Sequence, residues 1–151
     1  MTASSTRPSR GSRFALAVLS LTLLIGGCAE IDEEETETYQ PAHLQPVEDS
    51  KLKVVTFTPL AAEQVQLKTE KATRQDRHTV VSHEALIYDG MGEPWVYTVT
   101  KPLTYLRAPI VVDRVDDGRV LISRGLASGT EVVTVGATEV YGAELNIAGG
   151  H

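Results

Sequence analysis

Beyond residue 50 the chain alternates short β-prone apolar runs with turn residues at close spacing, the texture of an all-β domain. Val54-Val55-Thr56-Phe57 reads as a first strand. Thr58-Pro59 then supplies an N-cap and a proline at the first helical position, with Leu60, Ala61, Val65 and Leu67 lining one side of a short helix. The segment from Thr69 to Arg77 is polar and shows no period that assigns it to an element. The β pattern resumes from Thr79 to Tyr88, and Asp89-Gly90-Met91-Gly92 offers residues that tolerate a tight turn. The next strand, Trp95 to Thr100, puts Trp95, Tyr97 and Val99 on one face and Val96, Thr98 and Thr100 on the other. Pro102 and Pro109 belong at strand ends or bulges, so Tyr105 to Val115 is expected as an irregular strand.

Asp116-Asp117-Gly118 between Val115 and Val120 predicts a hairpin, with Arg119 to Ser123 pairing back. Gly125 and Gly129 bracket a turn, Glu131 to Gly136 makes the next strand, and Tyr141 to Ile147 is expected as the last one. The expected core is Val99, Ile110, Val112, Val120, Ile122, Leu126, Val133 and Val135. The fold expected is an all-β domain over residues 51–148, a small β-roll or barrel with one short helix, ending in a tail at 149–151.

Before residue 50 the pattern differs. Arg7, Arg10 and Arg13 precede an uncharged apolar run from Phe14 to Ile25, which leads into Gly26-Gly27-Cys28. Twelve residues are too few for a transmembrane helix, which takes about 20. The run resembles a bacterial lipoprotein signal: Ile25 stands three residues before the cysteine, two small residues follow, and Cys28 is the thiol to be acylated. That resemblance implies residues 1–27 as a cleaved signal and a lipid anchor on Cys28, the only cysteine of the chain. Acyl chains contribute about 0.8 kcal/mol per buried methylene, so two or more of them tether stably.

Residues 28–50 carry Glu30, Asp32, Glu33, Glu34, Glu35 and Glu37 with Pro41, Pro46 and few apolar positions, and are expected as a disordered acidic linker. About 22 such residues reach about 25 Å on average. All 20 acidic residues follow Cys28, whereas three of the 14 basic ones precede it, leaving the remaining 124 residues at −9. That charge argues against nucleic acid as a partner.

Candidate chemistry is sparse. His78 and His83 are five apart and would face opposite sides of a strand, no second cysteine is available, and His151 is a tail residue, so no metal site is expected. No nucleophile stands beside a histidine in a strand-turn-helix setting, and Gly90 and Gly92 read as a turn rather than a phosphate loop, so no catalysis and no cofactor beyond the lipid are expected. Trp95, Tyr97, Tyr105 and Arg107 are the candidate partner-binding residues; the alternative for the aromatics is that they fill a small core.

The stretch from Ala85 to Glu144 resembles the C-terminal, membrane-proximal part of periplasmic adaptor proteins of resistance-nodulation-division efflux pumps, the membrane fusion proteins. The matching pieces are Ala85-Leu86-Ile87-Tyr88, a glycine turn, Trp95-Val96-Tyr97, Pro102 to Arg107, Gly125 to Val133, Val135-Gly136-Ala137 and Tyr141-Gly142-Ala143-Glu144. Val54 to Thr69 resembles the way such adaptors begin. A full adaptor has a lipoyl-like sandwich and a long helical hairpin between these parts, where this chain has only Glu70 to Glu84.

The resemblance implies a membrane-proximal-type β domain that binds an inner-membrane efflux transporter and supports export without catalysis. The function expected is that of a lipid-anchored extracytoplasmic accessory or truncated adaptor. A stand-alone ligand-binding lipoprotein, with its ligand in a barrel mouth, is the alternative. Which membrane holds the lipid is left open by Ala29, which is not the aspartate associated with inner-membrane retention.

Overall fold

The structure, a computed structural model, describes residues 39–146. Cys28, the acidic run through Glu37 and His151 lie outside them. In chain order the elements are strands β1 (Ala42–Pro46) and β2 (Lys53–Phe57), helix α1 (Pro59–Gln64), strands β3 (Lys68–Lys71), β4 (Thr73–Gln75) and β5 (His78–Ser82), and a 3₁₀ turn at His83–Ala85. Strands β6 (Ile87–Tyr88), β7 (Pro94–Lys101), β8 (Thr104–Pro109), β9 (Val111–Asp116), β10 (Arg119–Arg124) and β11 (Glu131–Val135) precede helix α2 (Ala137–Glu144). The fold class is all-β, as the sequence pattern leads one to expect.

The strands form two open sheets rather than a closed barrel. One is seven-stranded, in the order β1-β2-β8-β7-β11-β3 with β6 added beside β7; the other is four-stranded, in the order β4-β5-β10-β9. Strand β7 is central to the larger sheet and buried on both faces. Tyr97, with Trp95 and Val99, packs toward a cluster closed by Phe57, Ala61, Ala62, Val133 and Val140. Val96 points the other way, into a second cluster with Val81, Val120, Ile122 and Val132 that joins the two sheets. The alternation along Trp95–Thr100 is therefore the period-2 pattern of a strand sandwiched between two cores.

The structure departs from expectation at the linker and at the last strand, and it assigns the polar segment that the sequence pattern leaves open. The linker expected over 28–50 contains β1, which pairs antiparallel with β2 from Ala42↔Phe57 to Pro46↔Lys53, so the folded region begins earlier than residue 51. Its proline ends an edge strand, where a missing N–H costs no ladder bond. The polar segment after Thr69 forms β3 and β4, on the edges of the two sheets, and its polarity follows from that exposure.

The last strand expected from Tyr141 is instead helix α2. Ala137, Val140, Ala143 and Glu144 recur at helical spacing on its buried face. Helix α1 matches its sequence signal: the Thr58 hydroxyl accepts from the Ala61 N–H at 3.2 Å, and Pro59 occupies the first turn.

The Asp117-Gly118 turn joins β9 to β10 with positive φ at both residues, 45° and 71°, the geometry that suits a two-residue hairpin. The irregular strand expected over Tyr105–Val115 is resolved into β8 and β9, in different sheets, with Pro109 ending the first. At this crossing Ile110 is buried between the sheets and its N–H bonds the Pro94 carbonyl at 3.2 Å. Gly125 packs against the same spot with φ 98°, and a Cβ there would lie 2.2 Å from the Pro109 carbonyl oxygen. Gly125→Ala is expected to destabilise the domain by at least about 2 kcal/mol, from overpacking against immobile backbone and an unfavourable φ. Chemical denaturation compared with Gly90→Ala, where no atom lies within 4 Å, measures it.

Candidate functional site

Of the expected core, Ile110, Val120, Ile122 and Val133 are buried, while Val99, Val112, Leu126 and Val135 are partly so. The four candidate partner-binding residues divide. Tyr97 is 0 % and Tyr105 3 % exposed, so neither presents a surface to a partner; both fill the core under the helices. Tyr105 meets Phe57 edge to face, ring centroids 6.2 Å apart. Trp95 and Arg107 are only partly covered, and they meet each other: the guanidinium sits 4.4 Å from the Trp95 ring centroid and 5.1 Å from that of Tyr141.

Arg107 does not reach outward for a partner's acid, because its partner is Glu144, 2 % exposed at the end of α2. Arg107 Nη2 donates to Glu144 Oε1 at 3.4 Å, and Nε lies 3.2 Å from Oε2 as a charge contact whose N–H is not directed at an acceptor. The Tyr97 hydroxyl donates to Oε2, the Lys53 backbone N–H donates to Oε1 at 3.3 Å, and Lys53 Nζ donates to the Glu144 carbonyl oxygen at 3.1 Å. A carboxylate taken out of water is tolerable only with such partners. Burial, and then the hydrogen bond to the Glu144 carboxylate, push the Tyr97 phenol far above its ordinary 10.0.

A second contact ties this network to the surface. Asp89 Oδ1 accepts from the N–H groups of Met91 at 2.9 Å and Glu93 at 3.0 Å, and Oδ2 accepts from the Trp95 indole at 3.1 Å. The Asp89 carboxyl is held below its ordinary 3.8, most by the Glu93 N–H, then by Met91, Trp95 and the charge of Arg107, against the opposing effect of partial burial. The 89–92 turn expected from the sequence is thus clamped through Trp95 onto Arg107. It presents Met91, 82 % exposed, beside Tyr88, 55 % exposed. The sequence pattern puts Tyr88 at the end of a β run, Met91 within the turn and Glu144 in a strand; the spacing of Ala137, Val140, Ala143 and Glu144 is the signal for a helix, and nothing local directs Glu144 to Arg107.

The remaining polar candidates are dispersed. His78 is buried, with Nε2 3.2 Å from Asp113 Oδ2, whereas His83 is exposed in the 3₁₀ turn rather than on the strand expected. Arg114 stays exposed near Asp113 and Asp116, at 3.8 and 4.0 Å. Among the described residues, no group of three or more His, Cys, Asp or Glu side chains converges, and no helix is long and apolar enough to cross a membrane. No protein-family model and no curated protein matches the chain.

Breaking the buried pair by Glu144→Ala is expected to cost about 3–5 kcal/mol, because Arg107 is left partly buried without its counter-charge. Glu144→Ala combined with Arg107→Met should recover much of that loss, a non-additivity read from urea midpoints. Because folding raises the Tyr97 value, its neutral form is favoured in the folded state. That stabilisation is complete below pH 10.0 and falls as pH climbs past it. Thermal midpoints between pH 8 and 11 should therefore decline less steeply in Tyr97→Phe than in the parent.

Proposed function

We propose that this chain is a lipid-anchored extracytoplasmic accessory or adaptor protein that binds an inner-membrane efflux transporter and supports export without catalysing a reaction. The observation that carries the reading is how two separated stretches of sequence share one sheet. Strands β2 and β3 come from Val54–Thr69 and its continuation, which resembles the start of an adaptor. Strands β7, β8 and β11 come from Ala85–Glu144, which resembles its membrane-proximal end. In the sheet, β2 pairs with β8 and β3 with β11, so the first stretch flanks the second on both sides. A domain built that way tolerates either a large insertion or a short bridge between β3 and β5, and here the bridge is the short β4.

The surface that serves such a contact is the turn carrying Met91 with Tyr88 at the end of β6 that leads into it, since Tyr97 and Tyr105 face inward. Two exposed apolar side chains, one on a turn held by hydrogen bonds and one on the strand before it, need little ordering on binding, which lowers the entropic cost of association. Lipid on Cys28 supplies the membrane attachment in this reading.

A photocrosslinking residue placed at Met91 of the full chain in its native membrane is expected to capture an integral transporter subunit, and Tyr88→Ala should reduce that capture several-fold. Recovery of no transporter subunit would overturn the reading. Cys28→Ser is expected to move the protein into the soluble fraction, and retention of the variant on membranes would make the β domain rather than the lipid the principal anchor.

A further inference from the structure

At the far end of β7 from this turn, the larger sheet loses its cover. Strand β11 pairs with β7 at the single position Val132↔Thr98, and the β7–β8 hairpin continues past it to its tip at Pro102-Leu103. Between that tip and the end of α1 lies a cleft of about 1000 Å³. This is at the upper end of the range of small-molecule sites, about 300–1,000 Å³.

Its apolar surface is supplied by Leu67, Val99 and Leu103, and Tyr105 lines it from the buried core. The Tyr105 hydroxyl makes no hydrogen bond to any described residue and is not among the buried groups that lack a partner, so it reaches the water of the cleft although the residue as a whole is only 3 % exposed. A hydroxyl that meets only water at the wall of a cleft is available as a donor to whatever enters. The charged residues around the cleft are Lys68 and Lys101 against Glu63 and Glu131, the last already accepting from the Thr69 hydroxyl. Two cations and two anions around an apolar wall complement neither a plain anion nor a plain cation.

From this geometry we infer that the cleft binds a short zwitterionic peptide with apolar side chains. The apolar side chains lie on Leu67, Val99 and Leu103, a peptide carbonyl accepts from the Tyr105 hydroxyl, and the two termini meet the lysines and glutamates of the rim. The site is independent of the transporter reading, because it shares no residue with the Tyr88–Met91 turn and stands or falls without a partner protein.

Titration of the purified full chain with trileucine, followed by calorimetry and by amide shifts, tests it. Saturable binding is expected, with shifts centred on Lys68, Thr69, Thr100 and Lys101. Tyr105→Phe should weaken it about 3- to 10-fold, the effect of one hydrogen bond. Lys101→Glu, an exposed change that leaves the core intact, should weaken it as well, and so should capping both peptide termini by acetylation and amidation. Absence of saturation at millimolar trileucine would overturn the proposal. Equal binding of the capped peptide, preference for decanoate, or an unaltered affinity in Lys101→Glu would do the same.

Discussion

The contact on which the rest of the domain depends is the buried charge of Glu144. Its carboxylate lies at the end of α2 and is satisfied by groups from three strands: the Lys53 N–H of β2, the Tyr97 hydroxyl of β7 and the Arg107 guanidinium of β8. The remaining buried positions of α2, Ala137, Val140 and Ala143, are small and apolar and would pack in more than one rotation of the helix. Apolar contact has no direction, whereas a buried carboxylate left without donors costs several kcal/mol. Glu144 therefore sets which way α2 lies on the sheet, and thereby closes the cluster around Tyr97 and Phe57.

That closure matters because the chain has little core to spare. The larger sheet is covered on one face by two short helices and on the other by the four-stranded sheet, so β7 contributes to both clusters. The chain passes from the larger sheet to the smaller at Ala72 and again at Ile110, and both residues are buried in the cluster between the sheets. Backbone at a crossing cannot use its own strand's ladder. Ala72 instead bonds the loop after β10, donating to Thr130 at 2.8 Å and accepting from Gly129 at 2.7 Å. Gly129 takes φ 86° in that loop, and Gly125 packs at the other crossing, where a Cβ would lie 2.2 Å from the Pro109 carbonyl oxygen and 2.8 Å from Ile110 Cα.

The two ends of β7 consequently differ in character. At its start, Asp89 and Trp95 fix a turn onto the Arg107–Glu144 network and leave Tyr88 and Met91 outside. At its end, the hairpin runs past its neighbour and leaves part of the core lined by Tyr105 open. The first arrangement is a rigid apolar projection suited to a partner surface, the second a concave site suited to a small ligand. A single central strand carries both, and both reach the same buried cluster through Tyr97 and Tyr105.

The all-β class, the Thr58-Pro59 helix start, the Asp117-Gly118 hairpin and the two faces of Trp95–Thr100 were legible along the chain, because turn chemistry and period-2 alternation are local and each is written within a few residues. Edge strands β1, β3 and β4 were less legible, since a strand that buries little of itself carries almost no apolar signal. The helix at Ala137–Glu144 was hidden by its length and by the valine-rich strand before it. That Tyr97 and Tyr105 turn inward while Tyr88 and Met91 remain outside, and that Arg107 finds its acid within the chain, follows from the folded arrangement alone. These are long-range facts: Arg107 and Glu144 meet across the α2–sheet contact, and no local preference of either residue specifies the other. Burial of a charge is decided by which partner the fold brings to it.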